Sequence, residues 1–196
     1  LKEELVPATG CTEPIALAYA AARLRDILGA KPERLRAEVS GNIIKNVKSV
    51  VVPNSGGLKG IRAAIAAGIV AGAAERVLQV ISSIPAERHA DIAAYSRDVP
   101  IEIACADTTR MLDIRLTGWA GAHSASVHIA NSHSNIVREE RDGEILLEKP
   151  VTDSAEDSLT DKSVLNVADI LEFANTADLE EIAPLLNRQI ACNTAI

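Results

Sequence analysis

The sequence predicts an α+β fold, in which Ala-rich helices pack with an antiparallel sheet and a helical pair follows at the C-terminus. Three observations predict it. Up to Ser96 the chain is dominated by Ala-rich apolar segments of helical length. From Ile101 the apolar period changes to two. Beyond an acidic, Ser/Thr-rich stretch, helical segments return at Val164.

Taken in order, Pro14 to Leu28 reads as a first helix about 22 Å long at 1.5 Å per residue. Thr12 is expected as its N-cap, Pro14 suits the first turn, and Gly29 closes the end. Arg34 to Ser40 alternates and reads as a strand, with Leu35, Ala37 and Val39 on one face. Gly41 to Lys48 breaks that alternation, and Val50 to Pro53 is a short apolar stretch ending in the Asn54–Gly57 loop. Ile61 to Ala74 is helical, with Gly68 and Gly72 allowing a second backbone to approach. Helices over Arg76–Ser82 and Glu87–Ser96 follow, interrupted at Pro85. Ile101–Cys105, Leu112–Leu116 and Ala125–Ile129 alternate as strands, and Asn135–Glu140 pairs with Glu144–Glu148 in a hairpin about Asp142-Gly143. The tail helices are expected over Val164–Ala174 and from Leu179 to Thr194.

This divides the chain into an α+β lobe over 1–150, a linker over 151–162, and a helical segment over 163–196 that is expected to continue into a C-terminal half. The chain opens on Leu1 without an initiator Met, which implies a processed product or part of a longer polypeptide.

Composition narrows the function classes. The 20 basic and 27 acidic residues give a net charge of −7, and only 2% of residues are aromatic. Nucleic acid is therefore excluded as a partner, because it demands basic clusters and stacking rings. With 47% apolar residues and so few aromatics, the core must be built from Ala, Ile, Leu and Val in thin, closely spaced layers. No window approaches the roughly 18 apolar residues of a membrane span, so no membrane partner is expected. Cys11, Cys105 and Cys192 form no disulfide framework, which fits a reducing cytoplasm.

Cys11 is the most informative residue, because Thr9-Gly10-Cys11-Thr12-Glu13-Pro14 sets a cysteine on a glycine turn ahead of a helix. Unpaired N–H groups and the helix dipole favour thiolate there. Three readings stand: a buried free cysteine, a reactive thiol, or an iron–sulfur ligand in need of partner thiolates. Cys105 is expected to face the core with Ile101 and Ile103, and Cys192 to lie in core or interface. Glu13 could serve as acid or base beside Cys11, although a first-turn Glu is also simply favourable at a helix start. The Ser40–Asn46 segment concentrates donors that suit a carboxylate-bearing substrate, with Lys45 as charge partner and Asn42 and Asn46 as orienting groups. The competing reading, an Asn/Gly turn with a solvated lysine, is somewhat favoured on sequence alone. Ser55 and Gly56 lie in a loop running into a helix, whose N–H groups could hold an anion. His133, in His133-Ser134-Asn135-Ile136, is the most site-like of the histidines, and the five-residue spacing of His123, His128 and His133 argues against one shared metal site.

Gly10–Pro14, Val39–Asn46, Pro53–Gly60, His133–Val137 and Asp142-Gly143 together resemble, in order and spacing, the serine dehydratase alpha-chain-like family that includes L-cysteine desulfidase. The resemblance implies a lyase that eliminates from L-cysteine or L-serine to give pyruvate, ammonia and sulfide or water, without pyridoxal phosphate. It also implies a [4Fe-4S] cluster in the complete protein, with Cys11 matching one cluster cysteine and the others in a C-terminal half not represented here. On that basis this chain alone should lack the cluster and be inactive. Lys45, Asn42 and His133 match motif positions that the resemblance assigns to substrate binding or proton transfer; together with the readings above, Glu13, Lys45 and His133 are the catalytic candidates, and Asn42, Asn46, Ser55, Gly56 and Asn135 the substrate-binding ones. The partners implied are a small amino acid, the C-terminal half or a partner subunit, and a second copy in a homo-oligomer. Two departures stand out: relatives more often carry a Gly-Thr pair where this chain has Asn54-Ser55-Gly56-Gly57, and Thr where it has Ser134. A second reading is a non-catalytic small-molecule-binding or subunit-interaction domain of the same fold, with Cys11 an ordinary free thiol.

Overall fold

The computed structural model describes residues 5–151 and 163–194. Most of the expected linker over 151–162 lies outside the described residues. The chain divides into a larger unit, residues 8–153, and a smaller one that holds the C-terminal helices.

In the larger unit, α1 (Thr12–Leu28) is enclosed on nearly every side, with Ile15, Ala16, Leu17, Ala18, Ala20, Ala21, Ala22 and Leu24 fully buried. Its partner is α3 (Gly60–Ala71), equally Ala-rich and buried over almost its whole length. The two meet through small residues. A Cβ at Gly68 would fall on the Ala18 carbonyl, and one at Gly72 would come within 2.9 Å of the Ala22 Cβ. This is the thin layering that a core without aromatics requires, since bulk on either helix would force the axes apart.

The carbonyl end of α3 receives arginines whose role the sequence pattern does not reveal. Arg25 donates to the Gly68 and Ile69 carbonyls at 3.3 Å, and Arg88 to Val70 at 2.9 Å. Arg62 donates to Ser96, Val99 and Ile101, which ties the end of α4 (His89–Asp98) to the first residue of β2 (Ile101–Cys105). Orphan helix-end carbonyls thereby receive charged donors inside the fold.

The α+β class is as expected, and the sheet has six strands in the order β2-β1-β3-β4-β5-β6. Its other strands are β1 (Arg34–Val39), β3 (Asp113–Ala120), β4 (His123–Ala130), β5 (Ile136–Arg141) and β6 (Glu144–Glu148). It is mixed rather than wholly antiparallel, because β1 and β2 run parallel, with Leu35 opposite Ile101 and Val39 opposite Cys105. Alternation reports which face a side chain takes, not the direction of its strand. The helices between β1 and β2 carry the chain back to the same end, as a parallel pair requires. Leu35, Ala37, Val39, Ile114, Leu116, Val127 and Ile129 form the buried face against the helices. Glu139 of β5 lies on that side too, and Arg23 of α1 grips it with two hydrogen bonds of 2.6 and 3.0 Å.

Other differences have local causes. Cys11, not Thr12, is the N-cap of α1. Gly41–Val47 is a helix, α2, because Ser40 caps it by accepting from the Ile43 N–H. The expected helix over Arg76–Ser82 is a 3₁₀ stretch, Ala74–Gln79, broken at Val77, whose φ is 51°. Cys105 is exposed rather than in the core: β2 is an edge strand whose first residue alone is buried. In the smaller unit, α5 (Val167–Thr176) is capped by Asn166, whose carbonyl oxygen accepts from the Asp169 N–H at 3.0 Å. Helix α6 spans Leu179–Thr194 and leaves Cys192 exposed.

No helix among the described residues is long and apolar enough to cross a membrane. The Gly68–Ala18 contact yields a prediction: Gly68→Ala will lower unfolding stability by about 1–3 kcal/mol, as overpacking does. Urea denaturation measures the loss, and an unchanged midpoint would mean that α1 and α3 are not in such close contact.

Candidate functional site

The candidate site forms where α1 begins. Gly10, at φ +88°, turns the chain so that Cys11 precedes the helix, and the Thr9 N–H donates to the Leu78 carbonyl at 3.1 Å. Pro53 packs beneath that turn, its Cγ 3.2 Å from where a Gly10 Cβ would stand. The Cys11 side chain makes no capping bond; its thiol donates to Glu13 Oε2 at 3.1 Å. The other carboxylate oxygen, Oε1, accepts from Asn46 Nδ2 at 3.1 Å. Asn46 is held on α2, whose cap Ser40 also donates to the Met111 carbonyl at 2.8 Å. His133 approaches from the β4–β5 turn, half-buried and within electrostatic reach of Glu13.

Charge is distributed unlike a bare helix start. Cys11 is exposed and not a buried free cysteine, yet partial desolvation pushes its thiol up, and the hydrogen bond and negative charge of Glu13 push it further in the same direction. The expected bias towards thiolate is therefore reversed: desolvation first, and then the carboxylate two residues on, outweigh the Glu13 N–H that favours the anion. Glu13 is held below the usual carboxylate range, first by the Cys11 hydrogen bond, with Asn46 and His133 adding to it against an opposing burial effect. Burial holds His133 below its ordinary value, and the Glu13 carboxylate partly offsets this. At neutral pH the cluster thus presents a protonated thiol, an ionised carboxylate and a neutral imidazole.

Cys11, Glu13, Asn46 and His133 come together. Asn42 lies one turn before Asn46 on the same side of α2, and Lys45 is exposed beside them without an ion pair among the described residues. Asn46, expected to orient substrate, is engaged with Glu13. Ser55 and Gly56 serve their own loop. The buried Ser55 hydroxyl donates to Val52 at 2.7 Å and accepts from the Leu58 N–H at 3.1 Å, and Gly56 packs under His89. Asn135 donates to the Ala130 carbonyl at 3.2 Å, closing the turn that carries His133.

One buried pair escaped the sequence reading. Asp113 accepts from His128 Nε2 at 2.9 Å, and both residues are buried. The signal was available in the β3–β4 hairpin, where counting back from Gly121 sets Arg115 opposite His128 and leaves Asp113 its diagonal neighbour.

No group of three or more His, Cys, Asp or Glu among the described residues is placed to hold a metal ion. Cys11 offers one protonated thiol beside one carboxylate, a donor set that does not fit a [4Fe-4S] cluster, which takes several thiolates.

Over all its 196 residues the chain is 47% identical to a UPF0597 protein of Desulfitobacterium hafniense. It is 43% identical over 198 aligned residues to one of Treponema denticola, and 44% identical over 196 to one of Lachnoclostridium phytofermentans. Each alignment takes in 100% of this chain but only 46%, 46% and 47% of the relatives, so the chain spans just under half their length. Their names state no activity. No family profile matches the chain, and no solved structure matches it.

The coupling within the cluster predicts a paired response to Glu13→Gln. Removing the carboxylate charge will lower the Cys11 thiol towards its ordinary value and let His133 fall further, because Glu13 raises both. The pH dependence of Cys11 alkylation and the His133 proton resonances measure the two shifts. If neither moves, the three groups are not coupled.

Proposed function

We propose that this chain carries the substrate-positioning and proton-transfer residues of a β-eliminating lyase acting on L-cysteine or L-serine. The observation that carries the reading is convergence: Gly10–Pro14, Val39–Asn46 and His133–Val137, far apart in sequence, meet at Glu13, and the Pro53 loop packs beneath. Four of the five segments that carry the resemblance to serine dehydratase alpha-chain-like proteins thus gather at the start of α1, while the fifth, Asp142-Gly143, lies at the β5–β6 turn beside His123 and Ser124.

In this reading the neutral His133 imidazole accepts the α-proton, and the adjacent Glu13 carboxylate stabilises the imidazolium that forms. Asn46 fixes Glu13 in place. Lys45 and Asn42, on the neighbouring turn of α2, receive the substrate carboxylate. Loss of the β-substituent, as sulfide from cysteine or water from serine, gives an enamine. This tautomerises to the imine and is hydrolysed to pyruvate and ammonia. The resemblance also implies a [4Fe-4S] cluster that would serve as Lewis acid, but the described residues do not supply its ligand set. The proposed setting is the cytoplasm, with the C-terminal half, a partner subunit or a second copy completing the site.

The protonated state of the Cys11 thiol favours the second reading, a non-catalytic small-molecule-binding or subunit-interaction domain in which Cys11 is an ordinary thiol. One assay separates the two. The complete gene product containing this chain, reconstituted with iron and sulfide without oxygen, is expected to release pyruvate from L-cysteine or L-serine. His133→Ala is expected to lower kcat by about 10²–10⁴-fold, the range for a lost general base. Absence of pyruvate with the wild type would leave only the binding-domain reading, whereas an active His133→Ala variant would remove His133 as the base.

A further inference from the structure

The sheet face turned away from α1 carries a second polar site. Alternation sends Arg115, Thr117 and Trp119 of β3 and Ser124, Ser126 and His128 of β4 to that face, where they line a hollow of about 570 Å³. That volume falls within the roughly 300–1,000 Å³ of small-molecule sites.

Its floor is built more rigidly than an ordinary exposed sheet face. The His128 ring, only 8% exposed, is fixed through Nε2 to Asp113, which is 5% exposed. Asp113 is flanked in turn by Arg110 and Thr108, each at 3.4 Å. Burial pushes the Asp113 carboxyl up, but the hydrogen bonds and charges of His128 and Arg110 outweigh it and hold the group ionised.

The acidic groups around the hollow are already used. Glu140 and Glu148 bind Arg138 at 3.0 and 2.6 Å. Asp142 accepts from the Ser124 N–H at 2.7 Å and is bonded to His123 at 2.8 Å. Arg34 stacks on Trp119, 4.0 Å from the ring centroid. Arg115, directly across from His128, differs: it is exposed and has no ion pair among the described residues. Thr117 follows it on the same face, and Ser124 stands further along, opposite Trp119. Donors are therefore in surplus, and no large aliphatic side chain lines the hollow. A covering protein layer would find little apolar surface to bury there, whereas a ligand rich in acceptors would find a free guanidinium.

We propose that this hollow binds a small metabolite-sized oxyanion, with its carboxylate or phosphate group on Arg115. The site lies on the opposite face of the sheet from α1 and is independent of the reading given to Cys11, Glu13 and His133.

Trp119 is the only tryptophan in the 196 residues, so it reports on the hollow directly. The full chain is titrated with succinate and with inorganic phosphate, at an ionic strength held constant with sodium chloride, while Trp119 fluorescence is followed. At least one probe is expected to give a saturable change, and the stronger responder identifies a carboxylate or a phosphate ligand. Arg115→Ala is expected to weaken that binding about ten- to a hundred-fold through loss of a charge-assisted contact. Arg97→Ala, exposed on α4 and ion-paired with Asp98 away from the hollow, is expected to leave it unchanged. Arg115 is exposed, so its removal does not threaten folding. The proposal is overturned if neither probe saturates, if chloride alone reproduces the signal, or if Arg115→Ala binds as tightly as the parent.

Discussion

The enclosure of α1 is the constraint on which the rest of the larger unit depends. With one Phe, one Trp and two Tyr in the whole chain, no large ring is available to fill space between layers. The core can reach native density only if backbones come close, and they do so where Gly68 and Gly72 meet Ala18 and Ala22. The buried α1 side chains then pack against α3 and the sheet, and little room is left for the helix to slide or rotate. Its charged exceptions are used as ties. Arg23 reaches Glu139 on β5, and Arg25 closes the end of α3.

A helix held so firmly makes its first turn a fixed platform. Cys11 and Glu13 project from it, and the elements that bring Asn46 and His133 are packed against the same core. Here a general rule and its local exception meet. Helix starts favour anions, and that favour goes to Glu13, which ionises easily and takes the hydrogen bonds. Cys11 then lies beside an anion instead of a bare dipole and keeps its proton. Two acids compete for one favourable field, and the stronger acid wins.

Much of this was legible in the sequence. The first helix and its Gly29 stop, the strand face of Leu35, Ala37 and Val39, and the hairpin about Asp142-Gly143 all follow from period and turn chemistry, and all are present. Glu13 and His133 also stand out in the sequence, and the structure brings them within electrostatic reach of each other. Three features were not legible. Cys105 alternates correctly yet is exposed, because alternation cannot tell an edge strand from a central one. Gly41–Val47 reads as a break, but Ser40 and the packing of Ile43 and Val47 make it a helix. Ser55 looks like an anion ligand in sequence, whereas its hydroxyl closes its own loop.

By itself the sequence determined the α+β class, the small-residue core and the five segments worth watching, because period, composition and turn residues act locally along the chain. Only the tertiary structure decided which segments meet, that β1 and β2 run parallel, that Asn46 serves Glu13, and that Asp113 and His128 form a buried pair. Those outcomes depend on distances between residues far apart in the chain. The state of Cys11 belongs with them, because a thiol's proton is set by the charges that packing places around it.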